Sequence, residues 1–252
     1  MRFKDKVAII TGGNRGIGKG ISLRLAKEGA KIVIAARDKT AAKNVMEEIQ
    51  KYGQECIFIK TDVCNKKEVD GMVERVINKF SKIDILVNNA GVVIRCPFLE
   101  LSEEIWDKTL NINLKGYYLC AQAVAKEMVK RDKGGKIVNI TSVQGLKVWP
   151  EYFHTPYEVS KAGIIMLTKQ LAYELAPYRI NVNAIGPGPT KTELFNKISK
   201  DPERIKSVTK RIPLGRVAKP SDVAGAVAYL SSEDADYVTG ITLFVDGGRL
   251  TW

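Results

Sequence analysis

The chain has 252 residues, of which 45% are hydrophobic, and this length supports one large domain with a single core, or at most two small ones. No run approaches the roughly 18–20 apolar residues that a membrane-spanning helix requires, and the first residues lack the layout of a signal peptide. The net charge of +12 is spread along the chain among acidic residues, whereas nucleic-acid-binding proteins typically gather their basic residues into a block or stripe. A positive field also favours an anionic cofactor or substrate.

Short β-branched runs alternate with longer segments of helical periodicity along the whole chain. The apolar runs are nearly continuous, which is typical of parallel strands that are covered on both faces. The predicted strands are 7–10, 31–35, 57–60, 83–87, 136–140, 180–184 and 241–245, and the predicted helices are 17–26, 41–52, 67–80, 105–129, 157–175 and 221–230. This alternation predicts an α/β fold: a doubly wound parallel sheet (Rossmann fold) of about seven strands, with helices on both faces and a single domain over residues 1–252.

Local signals place several helix starts and one long excursion. Asn65 with Glu68 three positions later, Ser102, and Pro220 with Asp222 each indicate the beginning of a helix. The alternation breaks over about residues 188–217, which are framed by proline and glycine and then turn polar, with helical stretches at 194–199 and 202–210. A long excursion of this kind is more often a functional lid than a disordered segment, so we predict a lid there.

A glycine-rich turn joins the first predicted strand to the first helix. It runs Gly12-Gly13-Asn14-Arg15-Gly16-Ile17-Gly18. Such a turn lets backbone N–H groups approach a pyrophosphate, whose negative charge the helix N-terminus favours. The strict G-x-G-x-x-G pattern is absent, and glycines also occur in ordinary turns, so this loop alone leaves nucleotide binding open.

The end of the second predicted strand bears on the choice of dinucleotide. Ala36 stands where an acidic residue would hold the ribose 2′-hydroxyl of NAD, and Arg37 follows it. A guanidinium at this place suits a 2′-phosphate, and Arg15 offers a second cation. The pattern favours NADP(H), although a shift of one residue would bring Asp38 to the ribose and favour NAD.

Tyr157 and Lys161 stand four residues apart in a predicted helix that begins next to Pro156. This spacing places both side chains on one helix face, one turn apart. The pair is either an ordinary exposed helix pair or a proton-transfer pair, and the two residues by themselves do not decide between these readings.

Several motifs, taken together and in order, resemble the short-chain dehydrogenase/reductase family. They are Thr11-Gly-Gly-Asn-Arg-Gly-Ile-Gly18, Asn88-Asn-Ala-Gly91, Asn113, Ser142 and Tyr157-Glu-Val-Ser-Lys161, with Asp62-Val63, Pro187-Gly188 and Val245-Asp-Gly-Gly248 elsewhere in the chain. The resemblance covers essentially the whole chain. The family uses the looser loop T-G-x-x-x-G-x-G, which accounts for the missing third glycine.

The resemblance implies a role for each motif. Asn113, Ser142, Tyr157 and Lys161 would form the catalytic tetrad, with Asn113 supporting a water-mediated proton relay. Asp62 and Val63 would lie against the adenine. Pro187, Gly188 and Thr192 would lie over the nicotinamide. The full expected cofactor site is Gly12, Asn14, Arg15, Gly16, Ile17, Gly18, Arg37, Asp62, Val63, Asn89, Ala90, Gly91, Tyr157, Lys161, Pro187, Gly188, Thr190 and Thr192.

The chemistry expected of this group is hydride transfer assisted by a tyrosine. A free tyrosine has a pKa near 10, and a neighbouring ammonium favours the phenolate. We therefore expect Lys161, together with the positive nicotinamide of the oxidised cofactor, to lower the pKa of Tyr157 toward the working pH. Ser142 would donate to the substrate oxygen as it becomes more negative, and the hydride chemistry itself would belong to the cofactor.

The resemblance predicts an NADP(H)-dependent carbonyl reductase or secondary-alcohol dehydrogenase acting on a small molecule. A sugar dehydrogenase of the glucose or gluconate type and a 3-oxoacyl-thioester reductase remain open. A dinucleotide sensor without activity is a further alternative, but it predicts a damaged tetrad, and all four residues are present. A nucleic-acid-binding protein driven by charge would show a strongly salt-dependent affinity for DNA.

Other residues carry weaker expectations. Ser142 and Tyr157 are separated by a loop slightly longer than is usual for the family. His154 is expected in a loop or pocket wall. Trp149, Tyr152, Phe153 and Gln144 would either shape the substrate site or pack within their loop, and Leu194, Phe195 and Ile198 would form the apolar face of a lid helix. The tail, residues 249–252, would reach a neighbouring subunit, since family members are commonly homotetramers or homodimers.

The four cysteines bear on the cellular compartment. No two of them form a C-x-x-C pair, since they stand at Cys56, Cys64, Cys96 and Cys120. Scattered thiols of this kind are typical of a reduced intracellular protein. We therefore expect a cytoplasmic location. We expect no metal site, since one histidine and these spacings do not suit zinc, and no membrane or nucleic-acid partner.

Overall fold

The computed structural model describes residues 1–149, 153–193, 195 and 202–251. Seven parallel strands form one sheet: β1 (Val7–Thr11), β2 (Lys31–Ala36), β3 (Cys56–Lys60), β4 (Ile85–Asn88), β5 (Gly135–Ile140), β6 (Ile180–Pro187) and β7 (Thr242–Val245). The helices are α1 (Gly16–Lys27), α2 (Lys39–Gln50), α3 (Lys66–Phe80), α4 (Glu103–Leu110), α5 (Gly116–Arg131), α6 (Thr155–Leu175), α7 (Pro202–Lys210) and α8 (Pro220–Leu230). The strand order is β3-β2-β1-β4-β5-β6-β7, which confirms the predicted doubly wound fold.

Apolar side chains on both faces of the sheet form two cores. Along β1, Ala8 and Ile10 pack on one face with α1, α2 and α8, whereas Val7 and Ile9 pack on the other with α3, α5 and α6. Successive side chains of a strand point to opposite faces, so a nearly continuous apolar strand must be covered on both sides. This explains why apolar and polar residues do not alternate along the strands.

The polar signals at the helix starts act as predicted. The Asn65 side chain accepts hydrogen bonds from the N–H groups of Lys67 and Glu68 at the start of α3, and the Ser102 hydroxyl accepts one from Ile105 at the start of α4. These bonds satisfy donors that the first turn of a helix cannot pair internally.

The predicted helix 105–129 differs from the structure in one respect. Between α4 and α5 the chain forms a π-helical turn over Asn111–Lys115. Such turns often mark functional sites in helices, and hydrophobic periodicity does not reveal a single widened turn. The turn contains Asn113, one of the predicted tetrad residues.

Three structural findings bear on the expected class of protein. Over the described ranges, every helix is too short or too polar to cross a membrane, and no group of three or more His, Cys, Asp and Glu side chains there is arranged to hold a metal ion. All four cysteines are free thiols.

Candidate active site

A cleft of about 670 Å³ opens where the carboxyl ends of neighbouring strands meet. The chain proceeds from β1 toward β3 on one side of the sheet and from β4 toward β7 on the other, and ligands of such sheets bind at the point where the strand order reverses. All predicted site residues line this cleft except Gly18 and Asn113, both of which are buried.

The glycine-rich loop has the backbone shape that a bound phosphate requires. Gly12 and Gly16 have φ angles of 64° and 49°, in the left-handed region that favours glycine. A Cβ atom at Gly18 would lie 2.2 Å from the Gly12 carbonyl oxygen. Among the described residues, no side chain caps the first turn of α1, and the free N–H groups of such a turn bind anions. The loop therefore fits the pyrophosphate of a dinucleotide.

Thr11, for which the sequence predicted no separate role, joins this loop to the segment after β4. Its buried hydroxyl accepts hydrogen bonds from the N–H groups of Asn89 and Ala90 at 2.9 and 3.1 Å. In return, Nδ2 of Asn89 donates to the Thr11 carbonyl oxygen at 2.9 Å. These bonds hold two walls of the cleft together, and the signal for them is a threonine directly before the loop.

Two arginines lie at the end of the cleft beside β2 and β3. Arg15 forms an ion pair with Asp38, and Nη1 of Arg37 lies 3.8 Å from Oδ2 of Asp62. Because all four side chains are more than a third exposed, water screens these pairs. Asp38 also caps α2 by accepting a hydrogen bond from the Ala41 N–H at 3.0 Å. That bond, helped by the Arg15 guanidinium, lowers the pKa of Asp38.

Ser142, Tyr157 and Lys161 meet at the other end of the cleft. The Ser142 hydroxyl accepts a hydrogen bond from the Gln144 N–H at 3.1 Å and lies close enough to the Tyr157 phenol to influence its pKa. Nζ of Lys161 lies 5.5 Å from the centre of the Tyr157 ring and donates to the Ile140 carbonyl oxygen at 2.8 Å. The structure thus brings together the hydroxyl, phenol and amine that the sequence singled out.

The protonation of this group differs from the expectation. Among the protein's own groups, burial has the largest effect on Tyr157 and raises the pKa of its phenol, while the neighbouring Ser142 hydroxyl opposes that rise. Burial also lowers the pKa of Lys161 to about 7, because a medium of low polarity disfavours the charged amine. Lys161 is therefore a weak source of positive charge near neutrality. Among the protein's own groups, the pKa of Tyr157 thus shifts in the direction opposite to the expectation, and the lowering expected from the positive nicotinamide stays a prediction.

Asn113 ties the helix that carries Tyr157 to the loop after β4. Its Nδ2 donates to the Val92 carbonyl oxygen at 2.9 Å and to the Ser160 hydroxyl at 3.2 Å, and its Oδ1 accepts from the Val92 N–H at 2.8 Å. The Ser160 hydroxyl in turn donates to the Tyr157 carbonyl oxygen at 2.6 Å. These contacts make the Asn113 side chain a positioning group, and its part in a proton relay stays a prediction.

The segment after β6 closes the cleft beside the glycine loop. Pro187, Gly188, Thr190 and Thr192 all line it. Thr192 packs closely on the loop, since a Cβ at Gly16 would lie 3.2 Å from its Cγ2.

The predicted lid is described only in part. Phe195 lines the cleft, and α7 occupies the predicted stretch 202–210. Leu194, Ile198 and most of the predicted helix 194–199 lie outside the described residues.

Beyond Tyr157, large polar and aromatic side chains wall the cleft. The buried His154 ring stands edge-on to the Tyr157 ring, with centroids 6.0 Å apart, and its Nε2 accepts a hydrogen bond from Nε of Arg95 at 3.1 Å. Gln144 and Trp149 also line the cleft. Phe153 is 60% exposed, and Tyr152 lies outside the described residues.

The C-terminal tail is described as far as residue 251. Arg249 folds into the cleft of its own chain and is only 2% exposed, and the predicted contact of the tail with a neighbouring subunit stays a prediction. The carboxylate of Asp246 accepts hydrogen bonds from the N–H groups of Gly248 and Leu250, each at 2.9 Å, and these bonds turn the chain inward. Trp252 lies outside the described residues. Neither Arg95 nor Arg249 was predicted to line the site, because a single arginine in a loop carries no local signal.

Comparison with known proteins identifies relatives of this chain. Residues 12–249 match the family model described as enoyl-(acyl carrier protein) reductase. The chain is 41% identical over 247 residues to a 3-oxoacyl-[acyl-carrier-protein] reductase of Synechocystis sp., with 97% of each chain covered. The crystal structure of a short-chain type dehydrogenase/reductase from Mycobacterium marinum superposes with a TM-score of 0.95 at 35% identity, covering 98% of this chain and 96% of that one.

A further solved structure resembles the chain and carries a ligand. It is a candidate 2-deoxy-D-gluconate 3-dehydrogenase from Agrobacterium tumefaciens with bound NADP, with a TM-score of 0.90 and 37% identity over 99% of this chain and 98% of that one. These relatives share the whole length of the chain. With a nucleotide loop at one end of the cleft and a serine, tyrosine and lysine at the other, the chain belongs to the short-chain dehydrogenase/reductase family, whose enzymes act on alcohol and carbonyl groups with a nicotinamide dinucleotide.

Proposed function

We propose that the protein is an NADP(H)-dependent oxidoreductase of the carbonyl reductase type, which interconverts a carbonyl compound and a secondary alcohol with Tyr157 as general acid and base. One observation carries this proposal: the side chains of Ser142, Tyr157 and Lys161 lie on the same cleft as the glycine-rich loop. A site that only sensed a dinucleotide would not need this group.

The nicotinamide would supply or accept the hydride, and side chains of the protein would donate or accept the proton. The Ser142 hydroxyl would bind the substrate oxygen as negative charge develops on it. Since burial raises the pKa of Tyr157, the neutral phenol is the form present near neutrality, and it can donate its proton to that oxygen. Lys161, with its pKa lowered to about 7, can release or accept a proton near the same pH and so restore the phenol.

Asn113 and Ser160 would support this chemistry without touching the substrate. Their hydrogen bonds reach the Tyr157 carbonyl oxygen and hold the first turn of α6 against the loop after β4. The predicted water-mediated relay from Lys161 past Asn113 belongs to this proposal.

The preference for NADP(H) is supported by the two arginines beside β2 and β3. Arg15 and Arg37 line the cleft and present exposed guanidinium groups that can exchange a carboxylate partner for a phosphate. Asp38, the residue that would favour NAD, is engaged in capping α2 and in its pair with Arg15. The similar structure from A. tumefaciens was solved with NADP.

Replacing Tyr157 with phenylalanine tests the proposed mechanism. The change removes only the hydroxyl, so kcat should fall about 10²- to 10⁴-fold, the contribution typical of a positioned general acid. The affinity for NADPH, measured by quenching of protein fluorescence, should stay within about twofold of the wild type, because uniform binding is untouched. A fully active Tyr157→Phe enzyme would contradict the proposal.

Replacing Arg37 with serine tests the cofactor. The KM for NADPH should rise about 10-fold or more, as expected for the loss of a charge-assisted bond to phosphate, while the KM for NADH should change little. Arg75→Ser, at an exposed site on α3, is the matched control. If the wild type uses NADH better than NADPH at equal concentration, the cofactor assignment is wrong.

Two substrate classes remain within this function. The Synechocystis relative is a 3-oxoacyl-[acyl-carrier-protein] reductase, which supports a 3-oxoacyl thioester, and the basic surface of this chain would suit an acidic carrier. The similar A. tumefaciens structure is a candidate 2-deoxy-D-gluconate 3-dehydrogenase, which supports a sugar acid. A panel of ketones, diketones, aldoses, sugar acids and 3-oxoacyl thioesters with both cofactors would separate them.

The remaining expectations concern assembly, location and the lid. Tyr118 on α5 and Met166 and Tyr173 on α6 are 43%, 63% and 82% exposed, and large apolar side chains on two helices of one face support association into a homotetramer or homodimer. Light scattering would measure the mass. The cytoplasmic location and the lid at about residues 188–217 stay predictions.

A further inference from the structure

Tyr117 is a buried aromatic residue to which the sequence assigned no role. It is only 1% exposed and is the second residue of α5, which follows the π-helical turn. Its carbonyl oxygen accepts a hydrogen bond from Nδ2 of Asn88 at 3.3 Å, and the same Nδ2 donates to Oδ1 of Asn139 at 3.0 Å. These bonds join the start of α5 to β4 and β5, so the backbone that carries the Tyr117 ring is held by two strands of the sheet.

The Tyr117 hydroxyl and the Lys161 amine share one hydrogen-bond acceptor. The hydroxyl donates to the carbonyl oxygen of Ile140 at 3.0 Å, and Nζ of Lys161 donates to that same oxygen at 2.8 Å. A hydrogen bond from a charged donor is stronger than one from a neutral donor. Two donors on one oxygen compete for it, so the Tyr117 hydroxyl weakens the bond that a charged Lys161 can form there.

The same amine lies close to two aromatic rings. Nζ of Lys161 is 5.4 Å from the centre of the Tyr117 ring and 5.5 Å from the centre of the Tyr157 ring. A cation within about 6 Å of a ring centre is attracted by the negative face of the ring, and the attraction grows when water is excluded. Within the described part of the chain, burial is the cause of the lowered pKa of Lys161, and no carboxylate opposes it. The rings and the Ile140 oxygen are therefore what stabilises the charged amine.

Two phenols are the titratable groups in contact with the amine, and both are neutral near pH 7. Burial raises the pKa of Tyr117 and of Tyr157. Cys120, which acts on Tyr117 from the next turn of α5, is a neutral thiol, since burial raises its pKa to about 12. Glu158, beside Tyr157 on α6, acts on the phenol and raises its pKa. A change at Tyr117 therefore alters the surroundings of Lys161 without adding or removing a charge.

We infer that Tyr117 is a positioning residue of the proposed reaction, which holds the Lys161 amine beside the Tyr157 phenol and limits the fraction of it that is charged. The ring favours the charged amine, whereas the hydroxyl, by occupying the Ile140 oxygen, disfavours it. With these effects opposed, the amine can both release and accept a proton near neutrality, as the restoration of the phenol requires. This inference rests on the proposed function and adds to it the residue that controls Lys161.

The test follows the charge of Lys161 through the pH dependence of folding, which needs no substrate. Urea unfolding is measured between about pH 6 and pH 10 for the wild type and Lys161→Met, and the difference between them begins to rise near the pKa of the folded amine. The same pair is then made with Tyr117→Phe. Because the hydroxyl no longer competes for the Ile140 oxygen, the onset of the rise should move up by roughly one pH unit, the difference between a hydrogen bond to a charged and to a neutral group.

A second variant and a control separate the ring from the hydroxyl. Tyr117→Leu lacks both, so its onset should lie roughly one pH unit below that of Tyr117→Phe, since the charged amine loses the attraction of an aromatic face. If Tyr117→Leu does not fold, Tyr117→Phe, which removes one oxygen atom, still decides the question. Tyr52→Phe, at a tyrosine that is 41% exposed after α2, is the matched control and should leave the onset unchanged.

The outcomes distinguish this inference from a packing role and from the proposed function. Packing alone would lower the unfolding free energy by the same amount at every pH, so an onset that stays or moves down in Tyr117→Phe would overturn the inference.

With a substrate from the panel, the pH at which kcat changes should shift in the same direction as the onset, and a kcat profile that stays in place would overturn the part of Tyr117 in the reaction. If the onset moves as expected while Tyr157→Phe is fully active, the proposed function falls and the control of Lys161 by Tyr117 stands.

Discussion

The positively charged side chains at the two ends of the cleft differ in their exposure to solvent. At the nucleotide end, Arg15 and Arg37 are 53% and 64% exposed and face carboxylates. At the end that holds Tyr157, Lys161 and Arg249 are only 4% and 2% exposed. Exposed cations can exchange a carboxylate for a ligand phosphate at little cost, whereas buried cations must be compensated by the fold or by the ligand.

The two ends also differ in how much the main chain contributes to them. The nucleotide end depends on close main-chain contacts, such as those that exclude any side chain at Gly18, and on the hydrogen bonds of Thr11. The other end is formed by side chains from four separate segments of the chain. These are the loop after β4 with Arg95, the loop after β5 with Ser142, helix α6 with Tyr157 and Lys161, and the C-terminal turn with Arg249. We conclude that close main-chain packing determines the shape of the nucleotide end, whereas the burial and charge of side chains determine the properties of the other end. The following changes test that distinction.

The largest effect is expected for Gly18→Ala. The new Cβ would lie 2.2 Å from the Gly12 carbonyl oxygen, so the variant should lose roughly 3 kcal/mol of unfolding free energy through overpacking. Gly71→Ala in α3 is the matched helix glycine, with nothing within 4 Å of its added Cβ, and it should gain up to about 1 kcal/mol. Urea unfolding measures both. Because the cause is steric, the loss should be the same at pH 7 and pH 10.

The second effect is the pH dependence that Lys161 contributes. Its pKa is lowered from 10.5 to about 7, so between these values the unfolded chain binds a proton that the folded chain does not, and stability rises with pH. Relative to Lys161→Met, the wild type should therefore gain on the order of 3 kcal/mol between pH 7 and pH 10.

Urea unfolding of both proteins at several pH values measures this difference. Below pH 7 the two curves should run parallel, since both states of Lys161 are then protonated. A difference that does not vary with pH between 7 and 10 would show that the amine is not desolvated as the structure indicates.

The smallest of these effects is expected for Thr11→Val. The change keeps the volume but leaves the N–H groups of Asn89 and Ala90 without their acceptor, which should cost about 2 kcal/mol of unfolding free energy. Thr209→Val on α7, whose hydroxyl donates to the Ile205 carbonyl oxygen at the surface, should stay within about 0.5 kcal/mol of the wild type. Thermal unfolding measures both, and similar losses in the two variants would contradict the role assigned to Thr11.

Prediction from the sequence succeeded where neighbours in the chain are neighbours in space. The loop from Gly12 to Gly18 joins one strand to the next helix, and Tyr157 and Lys161 share one helix turn. Prediction failed where burial decides the outcome. The pKa of Tyr157 shifts opposite to the expectation, because the enclosure of the phenol is a property of the assembled cleft and not of the residues next to it in the chain.

The sequence by itself determined the α/β class and the glycine-rich turn, since strand and helix periodicity and glycine positions are local properties of the chain, and the resemblance of its ordered motifs indicated the family. Only the tertiary structure decided that a π-helical turn contains Asn113, that Thr11 binds the loop after β4, and that Arg95 and Arg249 line the cleft. The physical reason is that a charged side chain acquires its burial, partners and protonation from segments that lie far apart in the chain.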